Sequence, residues 1–240
     1  MPSQTIKLMK SEEVAEGTMA FSFTRPFGFE FRSGQSVDIT LVDPPDTGAE
    51  GNTRAFSIAS HPREDTLMIA TRMRDSAFKR VLGAMHFGTA VKMEGPFGNM
   101  TLHNNNTKAA IILTGGIGVT PFRSMAWHAA KEKLPHKILL FYSNRRPEDA
   151  AFLEELQNLQ KDNPNYKLIP TMTQIDKSRH RWSGETGYIN REMLSRHNAA
   201  MSSAVYYIAG PPGMVSSLRA MLNQTGVDDD DIRSEDFAGY

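Results

Sequence analysis

Two stretches of this sequence repeat one design, an apolar strand that runs into a glycine- and proline-rich turn and then a helix. The first is Ala109-Ala110-Ile111-Ile112-Leu113 followed by Thr114-Gly115-Gly116-Ile117-Gly118-Val119-Thr120-Pro121. The second is Val205-Tyr206-Tyr207-Ile208-Ala209 followed by Gly210-Pro211-Pro212-Gly213-Met214. Glycine lets a phosphate or a flat ring lie against the backbone, and a helix N-terminus adds N–H donors and positive potential. Two such ends in one parallel sheet would flank a single dinucleotide.

The period of the apolar residues divides the chain. Residues 1–103 alternate in short runs, such as Ala20–Thr24, Ser36–Leu41 and Leu67–Thr71, separated by Gly, Pro and Asp clusters. That pattern predicts a small antiparallel β-barrel, with one helix near Ser76 to Ala84. Residues 104–240 change to strand–helix alternation. Phe122, Met125, Ala126, Ala129 and Ala130 recur at helical spacing, as do Phe152, Leu156 and Leu159, and Met214, Leu218, Met221 and Leu222. Strands are expected at 136–143, 166–173 and 204–209, which gives an α/β domain with a parallel sheet covered on both faces. The polar run His103–Lys108 is the expected linker, and Asp228–Asp231 the expected solvated loop.

Composition removes several functions. Lys plus Arg number 27 and Asp plus Glu 27, so no net field favours nucleic acid. No apolar run approaches membrane-spanning length, no leader pattern is visible, and a cytoplasmic setting is expected. The absence of cysteine excludes thiolate catalysis and cysteine-held iron–sulfur clusters. The seven histidines show no zinc-site spacing, so no metal is expected, and the fourteen methionines read as core filler. Electrons moving through such a chain need an organic carrier.

Several segments carry chemistry. In Arg54-Ala55-Phe56-Ser57, strand alternation puts Arg54 and Phe56 on one face, roughly 7 Å apart. The arginine offers a fork matched to phosphate, the phenylalanine a plate for a ring, and Ser57 a hydroxyl. Alone, the same segment also reads as a half-exposed strand with an incidental arginine. Ser76 reads as an N-cap, and that helix start can hold a pyrophosphate or be an ordinary capped end. Gly116-x-Gly118-x-x-Pro121 is similar to a dinucleotide fingerprint in which proline takes the third glycine's place, at the first helical position. No acidic residue stands at the end of the next strand. The tail Glu235-Asp236-Phe237-Ala238-Gly239-Tyr240 offers an aromatic cover for a ring, or a last packing strand.

In combination and order, these segments resemble the ferredoxin–NADP reductase superfamily over nearly the whole chain. Phe31-Arg32-Ser33-Gly34-Gln35 is similar to its approach motif, and Arg54, Phe56 and Ser57 to its Arg-x-Tyr-Ser. The resemblance implies FAD held by Arg54, Ala55, Phe56 and Ser57, with Thr71, Ala77, Phe78 and Lys79 beside its phosphates. It implies NAD(P)H held by Thr114, Gly115, Gly116, Gly118, Thr120 and Pro121, and by Gly210, Pro211, Pro212 and Met214. Ser57, Glu235 and Phe237 take the catalytic places, with Phe237 also against the cofactors. Ala209 replaces the family's cysteine, and Thr173-Gln174 stands where NADP-selective members carry Ser-Arg. That last difference favours NADH, although Arg145, Lys177, Arg179 and Arg181 lie near enough in sequence to meet a 2′-phosphate. The implied activity is hydride transfer from NAD(P)H to the flavin, then electrons to a ferredoxin, flavodoxin or haem protein. Alternatives on the same scaffold are an electron-transfer or regulatory component, active only in a larger complex, and a free-flavin or ferric-chelate reductase.

Overall fold

A computed structural model describes residues 3–197 and 204–237. Alternation governs the first half: in β3 (Ser36–Leu41), Val37, Ile39 and Leu41 are buried while Ser36, Asp38 and Thr40 are partly open. Five further strands, β1 (Gln4–Ala15), β2 (Thr18–Thr24), β4 (Thr53–Ser57), β5 (Thr66–Arg72) and β6 (Ala90–Phe97), complete an antiparallel sheet in the order β4-β3-β6-β1-β2-β5. Ala59 donates its N–H to the Met68 carbonyl at 2.8 Å, drawing the chain after β4 onto β5 and rolling the sheet toward closure. Helix α1 (Ala77–Gly83) is capped by Ser76, whose hydroxyl accepts from Lys79 N–H, and it drives Phe78 and Leu82 into the barrel core.

The second half builds a parallel sheet from β7 (Ala109–Gly115), β8 (Ile138–Asn144), β9 (Tyr166–Met172), β10 (Glu185–Thr186), β11 (Ala204–Gly210) and β12 (Ile232–Asp236), ordered β10-β9-β8-β7-β11-β12. Helices α2 (Thr120–Lys131), α3 (Leu153–Asn158), α4 (Arg191–Arg196) and α5 (Pro212–Gln224) accompany it. Strands β7 and β11 are apolar on both faces because both faces are covered. Ile112 and Tyr207 pack with Phe122 and Met125 on one side, and Ile111 and Ile208 with Val215 and Leu222 on the other. The chain leaves β7 in one direction through β8 to β10, then returns to place β11 on its other flank. That reversal makes β7/β11 the switch point, where the strand ends open a crevice.

One core runs from the sheet into the barrel, with Ala59, Met68, Ala70 and Met100 joining Phe122 and Met125. Buried Arg123 donates to the Ala59 carbonyl at 2.6 Å and pairs with Glu155 at 2.7 Å, while the Ser124 hydroxyl donates to the Ser60 carbonyl at 2.6 Å. Helix α2 therefore fixes the barrel against the sheet.

Two segments gain anchoring contacts here, and one expectation, the helical position of Pro121, changes. The polar run at 103–108 is anchored: buried His103 meets the Tyr207 hydroxyl through its backbone N–H at 2.8 Å and its Nδ1 at 2.9 Å. The aspartate run is a solvated loop as expected, with Asp228, Asp229 and Asp230 exposed, and ion pairs join Asp231 to Lys108 at 2.7 Å and Asp229 to Arg219 at 2.9 Å. The glycine run first makes a 3-10 turn, Gly116–Val119, so Pro121 is the second residue of α2 rather than the first. Among the described residues no helix is long and apolar enough to cross a membrane.

Candidate functional site

Parallel pairing sets Ala209 opposite Thr114, so the two glycine turns leave the sheet side by side. The Thr114 hydroxyl donates to the Ala209 carbonyl at 2.7 Å. Gly118 lies against Ala209, and a Cβ on Gly210, whose φ is +154°, would stand 3.3 Å from Gly115 N. Thr120 is buried and donates to the Ile117 carbonyl at 3.0 Å. Thr114, Gly118, Thr120 and Gly210 thus brace the turns from within, and neither they nor Pro121 are among the residues that line the cleft. Pro212 opens α5, where no N–H is required.

Gly115, Gly116, Pro211 and Met214 do face a shared cleft of about 620 Å³. Arg72 and Arg74 reach it from the barrel, and Arg145 from the end of β8. None of these three arginines has an ion-pair partner among the described residues, and no Asp or Glu lines the cleft. Arg72 donates only to the Asp149 carbonyl, at 3.2 Å. Two helical N-termini and three arginines, with Asp149 acting on Arg72 and Arg145 from outside the lining, make a positive crevice suited to a polyanion.

Arg54 and Phe56 share a half-buried face of β4, with Ala55 exposed on the other. The Arg54 guanidinium sits 5.3 Å from the Phe78 ring centre, and the Phe56 ring lies 5.8 Å from the same ring. Burial lowers the pKa of the Lys79 ammonium, and the charges of Arg74 and Arg54 push it the same way, opposed by Glu50. Arg54, Arg74 and Lys79 therefore converge at the start of α1. Arg74 belongs both to this cluster and to the cleft, so one cationic surface joins β4 to the glycine turns. Ser57, Thr71, Ala77 and Phe78 are buried packing positions that do not line the cleft.

Glu235 does not face the cleft either. It lines a second hollow of about 570 Å³ with Arg32, His103 and Arg233, and burial raises its carboxyl pKa. Phe237 donates its N–H to the Gly210 carbonyl at 3.0 Å and packs partly buried against the core that holds Ala209. Tyr240, the second aromatic of the tail, lies outside the described residues.

The pattern reading overlooked Arg72, Arg74 and Tyr188. The Arg72-x-Arg74 spacing after a strand was an available signal; a Gly-Tyr pair in a turn was not. Tyr188 is 78% exposed at the cleft. Its backbone is pinned next door, where Gly187 N–H donates to the Met172 carbonyl at 2.9 Å and the Gly187 carbonyl accepts from the Thr171 hydroxyl at 2.7 Å. Of the basic residues weighed for a 2′-phosphate, Arg145 lines the cleft, whereas Arg179 pairs with Glu16 at 3.2 Å and Lys177 bonds Gln174 at 3.3 Å.

Residues 112–220 match the oxidoreductase NAD-binding domain family. The F component of the Na(+)-translocating NADH-quinone reductase of Methylococcus capsulatus is 30% identical over 202 residues, which cover 78% of this chain and 49% of the relative. The chain thus spans about half the length of such curated relatives. Among solved structures, a ferredoxin NADP+ reductase from Neisseria gonorrhoeae with bound FAD and NADP superposes with a TM-score of 0.80 at 20% identity, covering 98% of each chain. The flavohem-like FAD/NAD-binding domain of the Vibrio cholerae nitric oxide dioxygenase gives 0.84 at 16% identity, again with 98% of each chain covered. With a matched NAD-binding domain and a fold shared end to end with these structures, the chain has the ferredoxin–NADP reductase-like fold and carries an oxidoreductase NAD-binding domain at 112–220.

Proposed function

We propose that this chain is an FAD-dependent NAD(P)H oxidoreductase, residues 1–103 holding the flavin and 104–240 the nicotinamide nucleotide. The observation that carries the reading is Arg74, shared between the cation cluster at α1 and the cleft of the two glycine turns. The donor set fits two pyrophosphates: Arg54, Arg74 and Lys79 for the flavin, and Arg72 with the Gly115–Ile117 backbone for the nucleotide. Phe56 offers the apolar plate for the flavin ring, and Tyr188 an open ring for the purine at the far end of the cleft. When bound, the flavin supplies the conversion of a hydride into single electrons.

The protein's own share is orientation and exclusion of water. The braced turns fix the nucleotide phosphates, and Phe237, tied to Gly210, guards the strand end nearest the two rings. Glu235 holds its proton to higher pH than an exposed carboxyl and stands outside the cleft, where it can serve the acceptor side. Thr173-Gln174 in place of Ser-Arg, with Arg145 the one of the four 2′-phosphate candidates that lines the cleft, favours NADH over NADPH. A ferredoxin, flavodoxin or haem protein fits as one-electron acceptor. The cytoplasmic setting rests on the sequence alone.

A second reading is an electron-transfer module of a longer protein or complex, and the half-length match to one component of an NADH-quinone reductase favours it. One experiment tests the main reading: load the protein with FAD and titrate it anaerobically with NADH and with NADPH, following flavin absorbance. Bleaching is expected, more readily with NADH. Failure to retain flavin, or retention without bleaching, overturns it. Turnover that appears only with a copurified partner selects the second reading.

A further inference from the structure

The loop between β3 and β4 is closed at its neck by reciprocal bonds, Leu41 N–H to the Asn52 carbonyl and Asn52 Nδ2 to the Leu41 carbonyl, both 2.9 Å. From that neck it reaches over the start of α1. Asp46 pairs with Arg80 at 2.8 Å, and a Cβ on Gly48 would lie 3.2 Å from that of Ala77. At its other end, Glu50 pairs with Arg54 at 2.6 Å. Arg54 Nη1 is occupied by the Glu50, Gly51 and Thr53 carbonyls, at 2.9, 3.3 and 2.7 Å. The Nη2 edge that Glu50 holds is therefore where an incoming anion would bind. The Glu50 side chain is 76% exposed, so water can take its place on leaving at little cost.

We propose that Glu50 is an internal stand-in for a flavin phosphate: it holds the 42–51 loop on Arg54 in the flavin-free protein and yields that edge when the phosphate arrives. A carboxylate and a phosphate at one guanidinium edge repel each other, so binding must exchange them. The loop then keeps its Asp46–Arg80 pair and the Arg54 Nη1 bonds to the Glu50 and Gly51 carbonyls, and loses only the side-chain latch. The exchange lowers affinity for phosphate-bearing flavins and leaves riboflavin untouched, since riboflavin brings no anion to Arg54. This inference rests on the reading of Arg54 as the residue that meets the flavin phosphate.

The test is equilibrium titration of the flavin-free protein with FAD and with riboflavin, read by flavin fluorescence, in wild type, Glu50→Gln and Asp46→Asn. Glu50→Gln is expected to bind FAD roughly two- to fivefold more tightly, the range an exposed ion pair allows. Its riboflavin affinity should not move, and Asp46→Asn should match wild type. Unchanged or weaker FAD binding in Glu50→Gln overturns the proposal, as does an equal gain for riboflavin or for Asp46→Asn, which would mark a general charge effect. If wild type binds FAD no better than riboflavin, the assignment of Arg54 falls, and the exchange with it.

Discussion

A Cβ on Gly118 would stand 2.6 Å from the carbonyl oxygen of Ala209, which is closer than any side-chain carbon tolerates. The two glycine turns are packed backbone against backbone, and the cleft exists because they are. The Thr114 bond to the same carbonyl locks the arrangement.

Gly118→Ala should therefore cost about 1–3 kcal/mol by overpacking. Gly213, which a Cβ would leave without a neighbour within 4 Å, should accept alanine within about 0.5 kcal/mol. Urea midpoints of the two variants check the contrast. Nucleotide affinity should fall with the first only.

Arg54→Ala removes charge-assisted bonds worth about 1.5–3 kcal/mol each, so FAD retention should fall at least about tenfold. Nucleotide binding at the glycine turns should change far less, because Arg72 and Arg145 remain. Flavin occupancy after gel filtration, set beside ADP-ribose affinity, measures both. Unchanged flavin occupancy would remove Arg54 from the phosphate site.

Tyr188→Ala should raise the KM for the preferred nucleotide about tenfold, within the range that base stacking on an aromatic ring provides. The kcat should hold, since the role proposed for the ring is to stack the purine and not to meet the flavin. Tyr188→Phe keeps the plate and should restore the KM. A matching fall in kcat would assign the residue another role.

Acid should weaken the fold before the ion-paired carboxylates are neutralised. Burial lowers the pKa of His61, His103 and His128 in the folded chain. Unfolding returns each to about 6.5, so below that pH the unfolded chain binds more protons and stability falls, while above about pH 7.5 this contribution is complete. Asp149 and Glu185, held low by Arg146 and Arg196, lose their stabilisation only below about pH 4. Urea midpoints between pH 7.5 and 5.5 should drop steadily. His128→Gln, which removes one half-buried imidazole, should flatten the slope.

Local rules make much of this protein legible in its residues. Two-residue alternation gives the barrel strands, 3.6-residue spacing gives α2 and α5, and glycine with proline marks where β7 and β11 must turn. Those are short-range properties, set by backbone sterics and by which face of an element is apolar. Periodicity does not say which distant element covers that face. Only the folded chain brings Arg74 both near Lys79 at α1 and to the cleft of the glycine turns, packs Thr114 and Gly118 against Ala209, and turns Glu235 into a separate hollow. Each outcome depends on where strands far apart in sequence come to lie, and burial and charge change with every such approach.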